Sequence, residues 1–315
     1  MPISLIDFRS QAPLLALLLL MALITGYDPG FIQPNAVLGL AADTAALFIM
    51  ATGITFVVLI GGIDLSSQAV ASMASVIVAL LLPDFGTWSV PVAIAAGAAA
   101  GAISGVLHTR LRLPSFIVTL AVGGVVASLN MLWSGNRTLN IEGADRASSF
   151  GWVIGQSAGI PNEVWVAIAV MIVCVVIHRK TAFGRFTNAI GSGEPAAWAS
   201  GINVLRVKII SFALSGGLAA LSGVMMAGRL SSGSPTLANE FLLPAIAAVL
   251  VGGTALTGGV GGIWRTLIGA LLVSVVRIGM TFVGVSVFAQ QIVFGVILII
   301  AVAFTIDRSK LPVVK

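Results

Sequence analysis

Three charged residues lie inside or beside long apolar stretches of this chain, where a charge is expensive. Asp43 and Asp64 carry carboxylates, and Arg277 carries a guanidinium group. A charge at the centre of a lipid bilayer costs ~2.5–3.5 kcal/mol, so such groups pair, bind water or line a pathway. Asp43 and Arg277 are therefore a candidate ion pair. Asp64 follows two glycines in G-G-I-D-L-S-S, residues 61–67, and is either a cap for the next helix or part of a substrate pathway.

A second group of candidate residues lies on one apolar stretch, at 114–133. Asn130 offers an amide for hydrogen bonds, while Phe116 and Trp133 offer rings that can stack, which together suit a polar ring-shaped solute such as a sugar. With Asp64, these residues form the predicted substrate pathway. A tryptophan at the end of an apolar span is also a common anchor at the membrane interface, and that alternative stays open for Trp133.

The chain lacks the motifs of P-loop ATPases and of zinc metalloproteases. The patterns G-x-x-x-x-G-K-S/T and H-E-x-x-H are absent, and the glycine-rich stretch 252–262 lacks the lysine of a phosphate-binding loop. Cys174 is the single cysteine, and His108 and His178 have no carboxylates at ligand spacing, so both histidines are predicted to lie at the membrane interface. We therefore predict no catalytic residue and no metal site, and expect that the chain itself does not hydrolyse ATP.

Composition indicates which elements must position these residues. Apolar residues make up 58% of the chain, charged residues only 9%, and the mean hydropathy is +1.10. A soluble domain carries roughly 25% charged residues. The sequence therefore predicts an all-α integral membrane protein, with all 315 residues in a single transmembrane domain.

Hydropathy in windows of about 19 residues predicts a polytopic bundle of about ten transmembrane helices. Residues 252–262 are too rich in glycine for a continuous helix, and 61–67 carry two glycines, so broken or re-entrant segments are expected there. The ten spans are 11–26, 36–60, 63–82, 88–108, 114–133, 162–178, 205–228, 240–257, 263–283 and 287–306.

Most of the 16 Lys and Arg residues fall in alternate loops, which the positive-inside rule assigns to the cytoplasm. This pattern predicts that both termini are cytoplasmic. The first span resembles a signal peptide, but no good cleavage site follows it, and an uncleaved helix is favoured. The basic residues are spread over loops rather than gathered on one face, so we predict no binding of nucleic acid.

Three sequence features concern packing and docking. Gly97, Gly101 and Gly105 place three bare patches on one helix face, which predicts close contact with a neighbouring helix. Residues 179–204 form a small-residue, glycine-punctuated cytoplasmic loop that could dock another protein. The outer loop 134–162 is polar, and it either receives a soluble binding protein or is a plain connector.

Several motifs together resemble a permease of the ribose-type sugar ABC importers, in the branched-chain amino acid/ribose permease superfamily. The resemblance covers residues 36–306. It rests on G-G-I-D-L-S at 61–66, L-P-S-F-I-V-T-L at 113–120, T-A-F-G-R-F at 181–186, A-I-G-S-G-E-P-A-A-W-A-S-G-I-N-V at 189–204 and A-I-A-A-V-L-V-G-G-T-A-L-T-G-G-V-G-G at 245–262.

The resemblance implies a permease in the bacterial inner membrane that translocates a monosaccharide by alternating access. Its implied partners are a second permease copy or paralogue, a cytoplasmic ABC ATPase that uses ATP and Mg, a periplasmic sugar-binding protein and membrane lipid. The chain binds no cofactor of its own. The resemblance implies that a coupling helix contacts the ATPase, and a bare connector is the alternative. The residues of the coupling helix are Glu194, Pro195, Ala196, Ala197 and Gly201.

Other functions remain open at this stage. Residues 192–193 and 66–68 depart from the family's usual Gly-Asn and glycine-rich continuation, so the substrate is not fixed. Related permeases carry nucleosides, branched-chain amino acids, inositol or autoinducers. An ion-coupled secondary transporter of a small polar solute would use Asp43 or Asp64 and no ATPase. A membrane-embedded transferase would need paired carboxylates, which the scattered acidic residues do not supply.

Overall fold

The computed structural model of the chain describes residues 8–305, so the predicted cytoplasmic termini lie outside the described residues. The described part is almost entirely helical. Its helices are α1 (Phe8–Tyr27), α2 (Pro34–Leu59), α3 (Ser67–Phe85), α4 (Ser89–Arg110), α5 (Ser115–Ser134), α6 (Gly143–Ile154), α7 (Asn162–Lys180), α8 (Ala182–Ser192), α9 (Glu194–Ala199), α10 (Val204–Leu230), α11 (Leu242–Val251), α12 (Ile263–Phe282) and α13 (Val287–Thr305).

Each predicted span overlaps one of these helices, and the all-α membrane fold is confirmed. Six helical segments of the described chain are long and apolar enough to cross a membrane. One of them, Ser67–Arg110, contains both α3 and α4, which a short turn at 86–88 separates. The others are Pro34–Leu59, Ser115–Ser134, Asn162–Lys180, Val204–Leu230 and Ile263–Phe282.

The predicted span at 240–257 is wrong in length. Helix α11 has only 10 residues and ends at Val251, so it rises ~15 Å, half the thickness of a hydrocarbon core. The glycine-rich residues 252–262 continue as turns, as their composition predicts, and Gly253, Gly258 and Gly259 have positive φ angles that suit glycine. This part of the chain therefore contains a half-helix followed by a loop.

Helix α2 is the centre of the bundle, with 94% of its most apolar window buried, whereas only 17% of the α7 window is buried. Helix α10 packs most extensively on α4. The close approach predicted for the α4 glycines is confirmed, because a Cβ at Gly101 would collide with the carbonyl oxygen of Phe212, and one at Gly105 would lie 2.8 Å from the Cα of Ile209. The two backbones are in direct contact.

The loop 134–162 folds back onto the bundle. It contains α6 and strand β1 (Leu139–Asn140), which pairs with β4 (Ser232–Gly233), and strands β2 (Gln156–Ser157) and β3 (Ile160–Pro161), which pair with each other. The buried ring of Phe150 fills the space left by Gly228 at the end of α10. Arg146 donates from Nε to the carbonyl oxygen of Gly228 at 2.9 Å. This loop therefore covers one end of the bundle.

An irregular segment precedes α11, at residues 231–241. Its backbone is not helical for most of its length, yet it enters the bundle beside α3. The hydroxyl of Ser75 accepts a hydrogen bond from the Ser234 N–H at 3.2 Å, and the hydroxyl of Ser72 accepts one from the Ala238 N–H at 3.1 Å. Buried backbone N–H groups need hydrogen-bond partners, and the serine hydroxyls of α3 supply them here.

Candidate functional site

The G-G-I-D-L-S segment is held by α5. Between α2 and α3, residues 62–66 leave the helix, and the Ile63 N–H donates to the Ser115 hydroxyl at 2.9 Å. Two residues later, the Leu65 N–H donates to the Thr119 hydroxyl at 3.1 Å. Ser115 and Thr119 are four residues apart on a helix, which is a rise of ~6.0 Å, and Ile63 and Leu65 are two residues apart in extended chain, which is ~6.6 Å. The two hydroxyls are therefore spaced to meet the two N–H groups. The motifs at 61–66 and 113–120 are one structural unit.

Asp64 is the most extensively hydrogen-bonded side chain of this unit. The residue is 1% exposed, and its two oxygens accept four hydrogen bonds from groups on three residues. Oδ1 accepts from the Ser66 N–H at 2.9 Å and from the Ser66 hydroxyl at 2.6 Å. Oδ2 accepts from the Ser67 hydroxyl at 3.1 Å and from the Ser215 hydroxyl of α10 at 2.6 Å. Asp64 thus supports the start of α3, although α3 itself begins after Ser66.

The four predicted pathway residues do not meet in one place. Asn130 is fully buried, and its Nδ2 donates to the carbonyl oxygen of Ala69 at 3.0 Å, which fixes α5 against the first turn of α3. Phe116 and Trp133 are 47% and 45% exposed, near the two ends of α5. Asp64 and Asn130 are therefore buried in the packed bundle, whereas the two aromatic side chains are half exposed.

A charged cluster lies at the opposite end of the bundle. The guanidinium of Arg229, at the end of α10, makes a 2.5 Å ion pair with Oδ1 of Asp43 and lies 3.6 Å from Oε2 of Glu163. The proposed pairing of Asp43 with Arg277 is therefore wrong. Arg277 instead places its guanidinium over the ring of Phe241, 5.3 Å from the ring centre. Arg229 lies in the last turn of α10, and its side chain contacts carboxylates of both α2 and α7.

A cavity of about 490 Å³ adjoins this cluster. Asp43 and Arg277 line it together with Gln290 of α13. Gln290 is buried, and its Nε2 donates to the Thr281 hydroxyl of α12 at 3.1 Å. Polar groups from α2, α12 and α13 therefore face a common space. Sequence reasoning found Asp43 and Arg277 but had no signal that would link them to Gln290.

The predicted cytoplasmic loop 179–204 folds as two short helices, α8 and α9, which we call the coupling segment. Glu194 begins α9, and its Oε2 accepts a 2.7 Å hydrogen bond in an ion pair with Nζ of Lys208 on α10. The methyl group of Ala197 is 4% exposed and packs in an apolar cluster with the end of α2 and the start of α10. Gly201 has a φ of +79° and allows the turn into α10.

The outward face of α9 is apolar and exposed. Pro195 and Ala196 are exposed, and Trp198 is 62% exposed, whereas Ala197 faces inward. Sequence reasoning selected the small residues and missed Trp198, although a tryptophan in a short polar-flanked helix is itself a signal. Tryptophan is among the residues most enriched at the energetic centres of protein interfaces.

His178 is buried at the end of α7. The residue is 9% exposed, and its Nε2 is 3.2 Å from Oδ1 of Asn188 on α8. Its ring also packs edge-on against Phe56 of α2. The histidine therefore ties the coupling segment to the bundle. The contact depends on the sharp elbow between α7 and α8, where a Cβ at Gly184 would collide with the backbone of residue 178.

Comparison with known proteins agrees with this architecture. The model of the family described as branched-chain amino acid transport system / permease component matches residues 36–302. The chain is 37% identical over 303 residues to the ribose import permease protein RbsC of Escherichia coli K12, covering 95% of this chain and 94% of that protein. It is 38% identical over 307 residues to RbsC of Bacillus subtilis 168, covering 96% and 94%.

A third relative differs in the sugar that its name gives. The chain is 36% identical over 269 residues to the fructose import permease protein FrcC of Rhizobium meliloti, covering 83% of this chain and 75% of that protein. No solved structure matches the chain. With its apolar helices and a family match over most of its length, the chain is a multi-pass membrane protein that belongs to the branched-chain amino acid transport system / permease component family.

Proposed function

We propose that this chain is the transmembrane permease subunit of an ATP-driven importer that carries a monosaccharide across the bacterial inner membrane. The proposal is supported by relatives that align over 75–94% of their own length and are named as permeases for ribose, fructose and L-arabinose. The sugar is not altered chemically. Movement of the bundle between outward-facing and inward-facing states carries it across.

The observation that carries this proposal is the geometry of α9. A cytoplasmic ABC ATPase, which uses ATP and Mg, docks on the exposed face formed by Pro195, Ala196 and Trp198. The ion pair between Glu194 and Lys208, together with the buried Ala197, fixes α9 to α10, so a push on this face moves the bundle. An exposed apolar face on a helix that is itself firmly attached suits a docking element better than a plain connector.

A second permease copy or a paralogue packs along the open side of α5, and the sugar passes between the two. Phe116, Leu120, Gly124 and Ser128 repeat at four-residue spacing on that side, and all are exposed. A Cβ at Gly124 would meet nothing within 4 Å. The exposed residues of α5 are mostly large and apolar, and Gly124 and Ser128 leave room among them for a polar solute.

In this assembly the bundle crosses the membrane ten times, and both termini are cytoplasmic. The coupling segment and residues 252–262 then face the cytoplasm, while the loop 134–162 and the charged cluster face the periplasm. A periplasmic sugar-binding protein delivers its cargo to the loop 134–162, whose strand pairing with Ser232 and Gly233 gives it a fixed surface.

The proposal is tested by purifying the tagged chain from its native cells in mild detergent and identifying the proteins that accompany it. We expect an ABC ATPase and a periplasmic binding protein. Proteoliposomes that contain the complex should then import radiolabelled ribose, fructose or arabinose when ATP is present on the coupling-segment side. A chain that purifies alone and imports solute on an ion gradient would overturn the proposal.

A further inference from the structure

Three separate segments of the chain meet at backbone level on the inner side of the coupling segment. They are the end of α2 with the first glycine of the G-G-I-D-L-S motif, residues 59–61; the end of α8, residues 191–192; and the glycine-rich loop after α11, residues 258–259. We call this meeting point the glycine junction. None of its residues belongs to the exposed docking face of α9.

Contacts within the glycine junction are direct contacts between main chains. The Gly259 N–H donates to the carbonyl oxygen of Leu59 at 2.9 Å. A Cβ at Gly191 would collide with that same carbonyl oxygen and with the Gly259 nitrogen. A Cβ at Gly258 would lie 2.7 Å from the Gly61 nitrogen and 2.9 Å from the Gly191 Cα. Each segment therefore touches both of the others through atoms that have no side-chain freedom.

The surroundings of the glycine junction make it stiff. Val57, Ile190 and Val207 are almost fully buried in one apolar cluster with Ala197 of α9, so α2, α8, α9 and α10 share a common packed core here. Close-packed interiors are barely compressible and pass on a displacement rather than absorb it. Long side chains could absorb a shift of the coupling segment by changing rotamer, but contacting backbones cannot.

Two of the three segments lead into breaks in the bundle. Residue 61 begins the non-helical segment that Asp64, Ser115 and Thr119 hold, and residue 259 lies in the loop between half-helix α11 and α12. A membrane bundle can bend where a helix is interrupted, because no continuous series of helical backbone hydrogen bonds has to break there. The coupling segment therefore contacts both bending points at one site.

We propose that the glycine junction carries the movement of the coupling segment into both breaks, and that Gly191, Gly258 and Gly259 are positioning residues for transport. The proposal rests on the proposed function, because it assumes that an ATPase moves α8 and α9. It adds a residue-level route from the docking surface to the interrupted helices. Contiguous packed contact is the physical basis for such coupling, and the route predicts which substitutions interrupt it.

The first test compares Gly191→Ala with Gly193→Ala in the complete importer in proteoliposomes. Gly193 is the matched control, since it has an extended backbone, and its Cβ would meet only Ala196 at 3.9 Å. We expect Gly191→Ala to retain the ATPase and hydrolyse ATP while the sugar imported per ATP falls about tenfold, and we expect Gly193→Ala to match the unsubstituted complex. An unchanged ratio in Gly191→Ala, or an equal loss in Gly193→Ala, would overturn the proposal.

A methyl group at position 191 must displace backbone atoms, so that variant can also lose stability. The second test therefore leaves the junction intact and measures distances between spin labels in the complex, in a Cys174→Ser background. One pair is Arg185→Cys with Val260→Cys, on α8 and beside the junction. The other is Arg185→Cys with Thr87→Cys, which lies in the turn between α3 and α4, and these sites are exposed.

We expect ATP to change the 185–87 distance and to leave the 185–260 distance constant, because α8 and the loop move as one body. A 185–260 distance that changes as much as the 185–87 distance would refute the junction. The two proposals fail differently. A complex that imports no sugar with ATP contradicts the proposed function, whereas one that imports normally with Gly191→Ala contradicts only the glycine junction.

Discussion

The hydroxyl of Ser215 donates a 2.6 Å hydrogen bond to Oδ2 of Asp64, which lies 151 residues earlier in the chain. This contact joins α10 to the break between α2 and α3, and both residues are buried. The carboxylate of Asp64 is stabilised by hydrogen bonds from one backbone N–H and three hydroxyl groups. The break is therefore held open in a defined shape by hydrogen bonds.

Removing that hydroxyl is expected to destabilise the protein. Ser215→Ala leaves a buried carboxylate oxygen with one donor fewer, which should lower the free energy of unfolding by about 1–3 kcal/mol. The measurement is thermal stability by fluorescence-detected size-exclusion chromatography. Ser211→Ala is the control, because the Ser211 hydroxyl bonds only to Val207 of its own helix. Equal melting temperatures for the two variants would contradict the role of Ser215.

Charge reversal at Glu194 should detach α9 from α10. Glu194 is 52% exposed, so Glu194→Gln should cost less than ~1 kcal/mol in stability. Glu194→Lys places two cations together and should reduce ATP-driven import, and the exchange E194K/K208E should restore it. Import that stays low in the exchanged variant would mean that Glu194 acts through another partner.

Removing Arg229 should be harmful because it leaves Asp43 and Glu163 together without their cation. We expect Arg229→Ala to lower stability by about 2 kcal/mol, since the cluster is only partly exposed. The neutral pair D43N/R229Q should recover most of this loss. Import by the D43N/R229Q variant should still require ATP and should persist when ion gradients are collapsed. If removal of the Asp43 carboxylate abolished import, an ion-coupled carrier would be favoured instead.

Trp198→Ala should weaken attachment of the ATPase without affecting the fold. A tryptophan at the centre of an interface contributes ~2 kcal/mol or more, which is roughly a 30-fold change in affinity. The readout is the amount of ATPase that co-purifies at increasing dilution. Trp88→Ala is the control, because Trp88 is 75% exposed at the opposite end of the bundle. A normal complex with Trp198→Ala would exclude this face as the docking surface.

A methyl group at Gly101 should separate α4 from α10. The Cβ would collide with the carbonyl oxygen of Phe212, so Gly101→Ala should cost about 1–3 kcal/mol. Gly124→Ala meets open space on α5 and should leave the melting temperature unchanged or raise it slightly. The same chromatographic assay compares the two.

The sequence predicts the helices well because apolar length is a local property. Helix α5, predicted at 114–133, is observed at Ser115–Ser134. Half-helix α11 is overestimated, because an apolar run does not show where a buried backbone stops being helical. Only the glycines that follow Val251 indicate the end.

Partners across the bundle are harder to predict than helices. Asp43 and Arg277 are the two charges deepest in their predicted spans, so pairing them is reasonable from the sequence. The structure pairs Asp43 with Arg229 because a long side chain at the end of α10 reaches inward. Likewise, nothing local to Ser115 or Thr119 shows that each accepts a backbone N–H from residues more than 50 positions earlier.

The non-helical residues 62–66 also constrain how the protein is made. Their amides need the hydroxyls of Ser115 and Thr119, and Asp64 needs Ser215, all of which are synthesised later. Until α5 and α10 have entered the membrane, the Ile63 and Leu65 amides lack these partners and Asp64 lacks one of its donors, so this stretch must stay in contact with water or with the insertion machinery. Biogenesis is therefore completed only when α10 arrives, and a chain truncated before Ser215 should be recognised by quality-control proteases as unfinished.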